Sequence, residues 1–242
     1  MSQVYLITGA STGFGALSAR ALANEGHTVF AGMHSHDGNT SAYEEEAVIF
    51  ARENNAHIRT VPLNLLSQES VPPHMRHARR GHVVWIGSSS TYGANSPFLG
   101  AYFAAKAAQD SLAQSYAAEL AAWGIETTIV SPGVFTKDTN HFLDAAKPGR
   151  PDVVREYKDG PTNGLDEQTM AGTAALVPPD ADPQVVADAL VELARLPRGQ
   201  KPFRMFPDPT MGGGQAAAAV VDNNRVNIYR RMGILEYLKV RL

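Results

Sequence analysis

The chain has 242 residues, 44% of them hydrophobic, enough to bury the core of one sizeable α/β domain over residues 1–242 without requiring a second. A formal net charge of −3 offers no basic field to nucleic acid or an anionic membrane, which leaves a small molecule as the better-matched partner. With no cysteine there is no disulfide framework, thiol nucleophile or thiolate metal site, and with no basic leader or long apolar run the expectation is a cytoplasmic protein without a metal.

Val4-Tyr5-Leu6-Ile7 is an unbroken apolar run, the pattern of a strand covered on both faces of a parallel sheet. Thr8-Gly9-Ala10-Ser11-Thr12-Gly13-Phe14-Gly15 follows, and Phe14, Leu17, Ala21 and Leu22 then recur at helical spacing. The glycines therefore fall at a strand-to-helix turn, where free backbone N–H groups and the helix dipole favour a phosphate and the missing side chains let it approach.

Thr28–Met33 reads as a second strand, Tyr43–Asn54 as a helix and His57–Leu63 as a third strand. In a dinucleotide fold, an acid at the end of the second strand would hold the ribose 2′-hydroxyl and select NAD. Here Ala31-Gly32-Met33-His34 contains none, and the missing carboxylate, with His34 as a phosphate partner, points toward NADP without excluding NAD. The basic run from Pro72 to Gly81 lacks further ligands or a wider basic surface and reads as a solvated helix end.

Val83–Ile86 is the next strand, leading through Gly87 to Ser88-Ser89-Ser90. A long helix over Ala101–Trp123 carries Leu112, Tyr116 and Leu120 as a core stripe, with Tyr102 and Lys106 near its start. Residues four apart share a helix face, so the phenol and the ammonium can reach one small molecule. A cation held close favours the phenolate and brings proton transfer nearer to neutral pH, while a serine hydroxyl from the strand end could fix a substrate carbonyl. Ile125–Val130 delivers Ser131-Pro132-Gly133-Val134-Phe135-Thr136 to a strand's carboxyl end, where ligands bind in such sheets.

Residues 137–180 are rich in Gly, Pro and charge and read either as a substrate loop or lid or as an irregular surface excursion; Phe135 and Phe142 suggest an apolar pocket there. Asp182-Pro183 opens a helix with Val186, Leu190 and Leu193 on one face. Phe203–Phe206 suggests a last strand, and Met211-Gly212-Gly213-Gly214 a flexible joint before a final helix.

Taken in order, the glycine turn, the serines with Tyr102 and Lys106, and Pro132-Gly133-Val134-Phe135-Thr136 resemble the short-chain dehydrogenase/reductase family, in the branch whose members are about this long. The resemblance implies a doubly wound, mostly parallel Rossmann-like sheet with helices on both faces, a nicotinamide cofactor, and hydride exchange between an alcohol and a carbonyl. It also implies a homo-oligomer built through a helix pair. By it Tyr102 is the acid/base, Lys106 binds the nicotinamide ribose and lowers the Tyr102 pKa, and either Ser88 or Ser89 polarises the substrate carbonyl. Gly9, Ser11, Thr12, Gly13, Phe14 and Gly15 would line the pyrophosphate and adenosine, Asn64 would face the adenine, and Pro132, Gly133, Val134 and Thr136 would close over the nicotinamide.

One departure stands out. Only about 16 residues separate Leu65 from His82, where the family has a helix, a strand ending in Asn-Asn-Ala-Gly and most of a second helix. The expected sheet therefore lacks one central strand and part of two helices. Either the flanking strands pair directly, moving the Ser–Tyr–Lys group relative to the glycine turn, or a groove stays open. Loss of the family's catalytic Asn leaves two functional readings: an NADP-dependent oxidoreductase, or an inactive form that binds a dinucleotide.

Overall fold

The computed structural model describes residues 2–33, 40–63, 73–93, 95–136 and 148–241. Six strands form one parallel sheet: β1 Val4–Thr8, β2 Thr28–Met33, β3 His57–Pro62, β4 Gly81–Ile86, β5 Ile125–Val130 and β6 Arg204–Met205, in the order β3-β2-β1-β4-β5-β6. The helices are α1 Gly13–Asn24, α2 Thr40–Glu53, α3 Pro73–Ala78, α4 Gly100–Ala121, α5 Pro151–Asp159, α6 Leu165–Ala175, α7 Gln184–Arg195 and α8 Gly214–Met232.

The period-two geometry of a strand sorts the apolar runs onto two faces. Tyr5, Ile7, Val29, Ala31 and Val84 pack with Leu22 of α1 and Val186, Leu190 and Leu193 of α7. On the other face Leu6, Val83, Trp85, Ile125 and Ile129 pack with Ala113 and Leu120 of α4 and Met75 of α3, and Leu112 and Tyr116 lie against this second cluster. Each fully buried Leu or Ile among them contributes about 1.5–3 kcal/mol. The doubly wound arrangement thus follows from strands that are apolar on both sides.

The two strands flanking the short connection pair directly. Tyr5, Leu6 and Ile7 of β1 stand beside His82, Val83 and Val84 of β4. No inner groove separates them, so the backbone groups of both strands are satisfied in the ladder. Of the stretch read as a lid or an irregular loop, residues 151–175 form α5 and α6, and residues 137–147, with Phe142, lie outside the described residues. Gly212–Gly214 is not a free joint: Gly213 (φ 78°) precedes α8, and Gly214 is buried, with the main-chain oxygen of Ser89 3.5 Å from where a Cβ would stand. Phe135 does not line an open pocket either, being 3% exposed and part of the core. No helix among the described residues is long and apolar enough to cross a membrane.

Candidate active site

At the carboxyl end of β1 the chain turns through Gly9 (φ 66°) and Gly13 (φ 54°), left-handed conformations that glycine adopts without steric cost. Gly15 is required for a different reason: a Cβ there would stand 2.1 Å from the Gly9 carbonyl oxygen. That contact seats α1 directly on the turn. Thr12 occupies the N-cap position in extended conformation, and its side chain makes no capping hydrogen bond, so the first N–H groups of α1 are left for another acceptor. Ser11 is half-buried, while the Phe14 ring meets Phe135 edge-on at 5.2 Å, joining the glycine turn to the segment that follows β5. His34 and Asn64, also expected at a cofactor, lie outside the described residues.

The serine segment leaves β4 beside the same turn. Ile86 N–H donates to Thr8 Oγ1 at 3.4 Å, and the ladder with β5 continues past the strand ends as Gly87 N–H donates to the Val130 carbonyl (2.7 Å) and Ser89 N–H to that of Pro132 (2.9 Å). Ser88 is buried, and its Oγ accepts from Ser90 N–H at 3.3 Å, capping a 3₁₀ turn over Ser89–Tyr92. Of the two serines left open by the sequence, Ser88, whose Oγ lies 2.8 Å from Ser90 Oγ, is the one whose hydroxyl acts on the Tyr102 phenol, whereas the Ser89 side chain lies against Gly214.

Lys106 follows Tyr102 by one turn of α4, as the spacing requires, and its Nζ donates to the Ile86 carbonyl (3.0 Å) and to Gln109 Oε1 (3.3 Å). Burial brings its pKa down to about 8. Burial also holds the Tyr102 phenol above its ordinary value, and the opposing influence is the Ser88 hydrogen bond. The expected lowering of the Tyr102 pKa by the Lys106 charge is thus corrected: the phenol is desolvated, and the ammonium is spent on a main-chain carbonyl.

Pro132 is buried, Gly133 and Val134 are half-buried, and Thr136 is exposed. Gly133 lies under the loop after β6, where a Cβ would come within 1.8 Å of Asp208 Oδ1. All three segments therefore meet at the carboxyl end of the sheet, in β1, β4 and β5, which are adjacent strands. Sequence reading passed over Tyr92, Asp110, Arg204 and Asp222, which form a charged cluster in which the Arg204 and Asp110 side chains are buried. The one available signal was Asp110, spaced four residues after Lys106 on the same helix face.

A family model described as short chain dehydrogenase matches residues 53–148. A curated 3-ketodihydrosphingosine reductase of Bacteroides thetaiotaomicron is 24% identical over 175 residues, covering 55% of this chain and 64% of that protein; the chain thus spans less than two thirds of the curated relative it matches. Among solved structures, a short-chain dehydrogenase from Streptomyces avermitilis is 20% identical with a TM-score of 0.60, covering 96% of this chain and 97% of its own. An angucycline C-6 ketoreductase with bound NADP (17%, TM-score 0.56, 86% and 94%) and an actinorhodin polyketide ketoreductase with NADPH (18%, TM-score 0.58, 87% and 97%) share the fold as well. The chain thus resembles the short-chain dehydrogenases over residues 53–148 and shares the fold of these solved enzymes.

Proposed function

We propose that the protein is an NADP-dependent oxidoreductase that interconverts a carbonyl compound and its alcohol, with Tyr102, Ser88 and Lys106 at the reacting end. The observation that carries this reading is the buried Ser88 hydroxyl acting on the Tyr102 phenol, with Lys106 one turn along the same helix, set one strand away from a glycine turn whose helix start has no capping side chain. The glycine turn fits a pyrophosphate, because Gly9 and Gly13 leave open space where a Cβ would stand and Gly15 keeps α1 against the turn. A nicotinamide cofactor, when bound, supplies or accepts the hydride.

The chain's own residues handle the oxygen and the proton. Ser88 Oγ donates to the substrate oxygen and holds it beside Tyr102; Tyr102 Oη then gives its proton to that oxygen in reduction, or takes it back in oxidation. A phenol kept protonated by burial suits the reductive direction. Lys106, charged below about pH 8, holds the ribose. NADP is favoured over NAD because β2 ends in Gly32 and Met33 with no carboxylate, and the two ketoreductases of like fold carry NADP or NADPH. Their names, and that of the curated relative, suggest a ketone as substrate.

The absent strand is supported from two sides. β1 and β4 are direct partners, and 175 aligned positions draw on only 55% of a 242-residue chain, so the relative carries residues that have no counterpart in this chain. Without that strand the glycine turn lies about 4.8 Å nearer the serine segment, one strand spacing. This shift favours a second reading, in which the chain binds a dinucleotide without turning over. Incubation with NADPH and a panel of ketones and aldehydes, following cofactor absorbance, separates the two. Turnover that Tyr102→Phe abolishes is expected; turnover that survives it sinks the first reading, and saturable NADPH binding with no turnover on any carbonyl establishes the second.

A further inference from the structure

Arg204 begins β6 with a side chain only 4% exposed, and it carries its charge between three elements. Nη1 donates to Asp110 Oδ1 at 2.6 Å and to the Tyr92 hydroxyl; Nη2 reaches Asp110 Oδ2 at 3.4 Å; Nε donates to the two Asp222 oxygens at 3.0 and 2.9 Å. Asp110 also accepts from the Tyr92 hydroxyl and from Gln114 Nε2, each at 2.7 Å. The Tyr92 and Phe203 rings lie against the guanidinium at 5.2 and 5.1 Å. A buried ion pair adds little net stability over an apolar replacement, so stability alone does not account for the cluster. What a planar five-donor fork does supply is fixed geometry among its acceptors.

Those acceptors belong to the segments that carry the site. Asp110 lies one turn beyond Lys106 and two beyond Tyr102 on the same side of α4. Tyr92 closes the 3₁₀ turn that Ser88 caps, and Asp222 lies on α8, whose first residue packs against Ser89 and Tyr92. One guanidinium therefore ties the turn of Ser88 to the helix of Tyr102. We propose that Arg204 and Asp110 are positioning residues that set the separation of the Ser88 and Tyr102 hydroxyls, acting through Tyr92. The proposal rests on the reading of Ser88 and Tyr102 as the reacting pair. A misplacement near 1 Å between reacting groups costs about a hundredfold in rate.

Arg204→Met leaves Asp110 buried without its counter-charge and is expected to unfold, so Tyr92→Phe is the informative variant: it removes one hydroxyl and keeps the ring and the Asp110–Arg204 pair. Two readouts apply. The ring-carbon NMR signal of Tyr102, assigned through Tyr102→Phe, should titrate at higher pH in Tyr92→Phe, because the Ser88 bond loosens; Ser88→Ala should give the same shift, and the double variant no more. With NADPH and diacetyl, kcat should fall about tenfold while KM for NADPH stays within about twofold. An unchanged Tyr102 titration in Tyr92→Phe, or shifts that add in the double variant, overturns the proposal. So does a fall in kcat matched by an equal loss of NADPH affinity. If the unaltered protein reduces no carbonyl compound while the titration moves as expected, the positioning stands and the reading of the reaction falls.

Discussion

Lys106 shows how a single residue can be set for chemistry against stability. Its ammonium is largely withdrawn from water and compensated only by the Ile86 carbonyl and the Gln109 amide, so its pKa falls from 10.5 to about 8. A lysine whose folded pKa is depressed costs the folded state most below that value, and the cost fades as pH rises from about 8 toward 10.5. Lys106→Met should therefore raise stability at pH 7 by about 1–3 kcal/mol, net of the hydrogen bonds lost, and raise it less at pH 9.5. Urea midpoints at the two pH values measure this, and the same variant should have lost turnover. The neighbouring serines make a second contrast. Ser88→Ala removes the hydroxyl bonded to Tyr102 and should lower kcat about a hundredfold, while Ser89→Ala, facing Gly214, should stay within about threefold. A larger loss at Ser89 would reassign the pair.

The glycine turn shows how an element is placed by space rather than by attraction. Gly15→Ala drives a methyl group to 2.1 Å from the Gly9 carbonyl, so α1 must lift from the turn; the expected cost is about 1–3 kcal/mol together with loss of NADPH binding. Gly13→Ala meets no atom within 4 Å and pays only for its positive φ, about 1 kcal/mol. Thermal unfolding and NADPH fluorescence titration of the two variants test that order. Such elements were legible because their cause is local: β2 and, apart from Glu126, β5 are apolar or β-branched runs, and the structure returns them at the bounds read from the sequence. α5 and α6 were not, because neither buries a residue against the core. The Arg204 cluster was hidden for the opposite reason. Asp222 is 18 positions from Arg204, but Asp110 and Tyr92 lie 94 and 112 positions away in the chain and meet it only after the sheet has formed.

At the scale of the whole molecule, the direct pairing of β1 with β4 puts a histidine in the middle of the sheet. His82 is 2% exposed and stands beside Tyr5 in the ladder. Thr128 Oγ1 donates to the Pro202 carbonyl at 2.7 Å, so its oxygen accepts from His82 Nε2 at 2.9 Å and the ring proton belongs on Nε2. A second proton would have to enter at Nδ1, which is buried with no hydrogen-bond partner among the described residues. Burial, aided by the Lys201 charge, accordingly pushes the His82 pKa down to about 3. The unfolded chain takes up this proton near pH 6.5 and the folded chain only near 3, so stability is complete above 6.5 and falls by up to about 1.4 kcal/mol for each pH unit below it. Carboxylates add their own acid loss, which a variant can separate. His82→Gln retains a donor for Thr128 without a titrating ring, and its stability should fall less than that of the unaltered chain between pH 7 and 4.5. Parallel declines in urea midpoint would refute the assignment. The consequence reaches the site, because β4 carries His82 near its start and hands the chain to Ser88 at its end. Acid should therefore remove the Ser88–Tyr102 pair by releasing the strand that delivers it, at pH values where Lys106 is already charged.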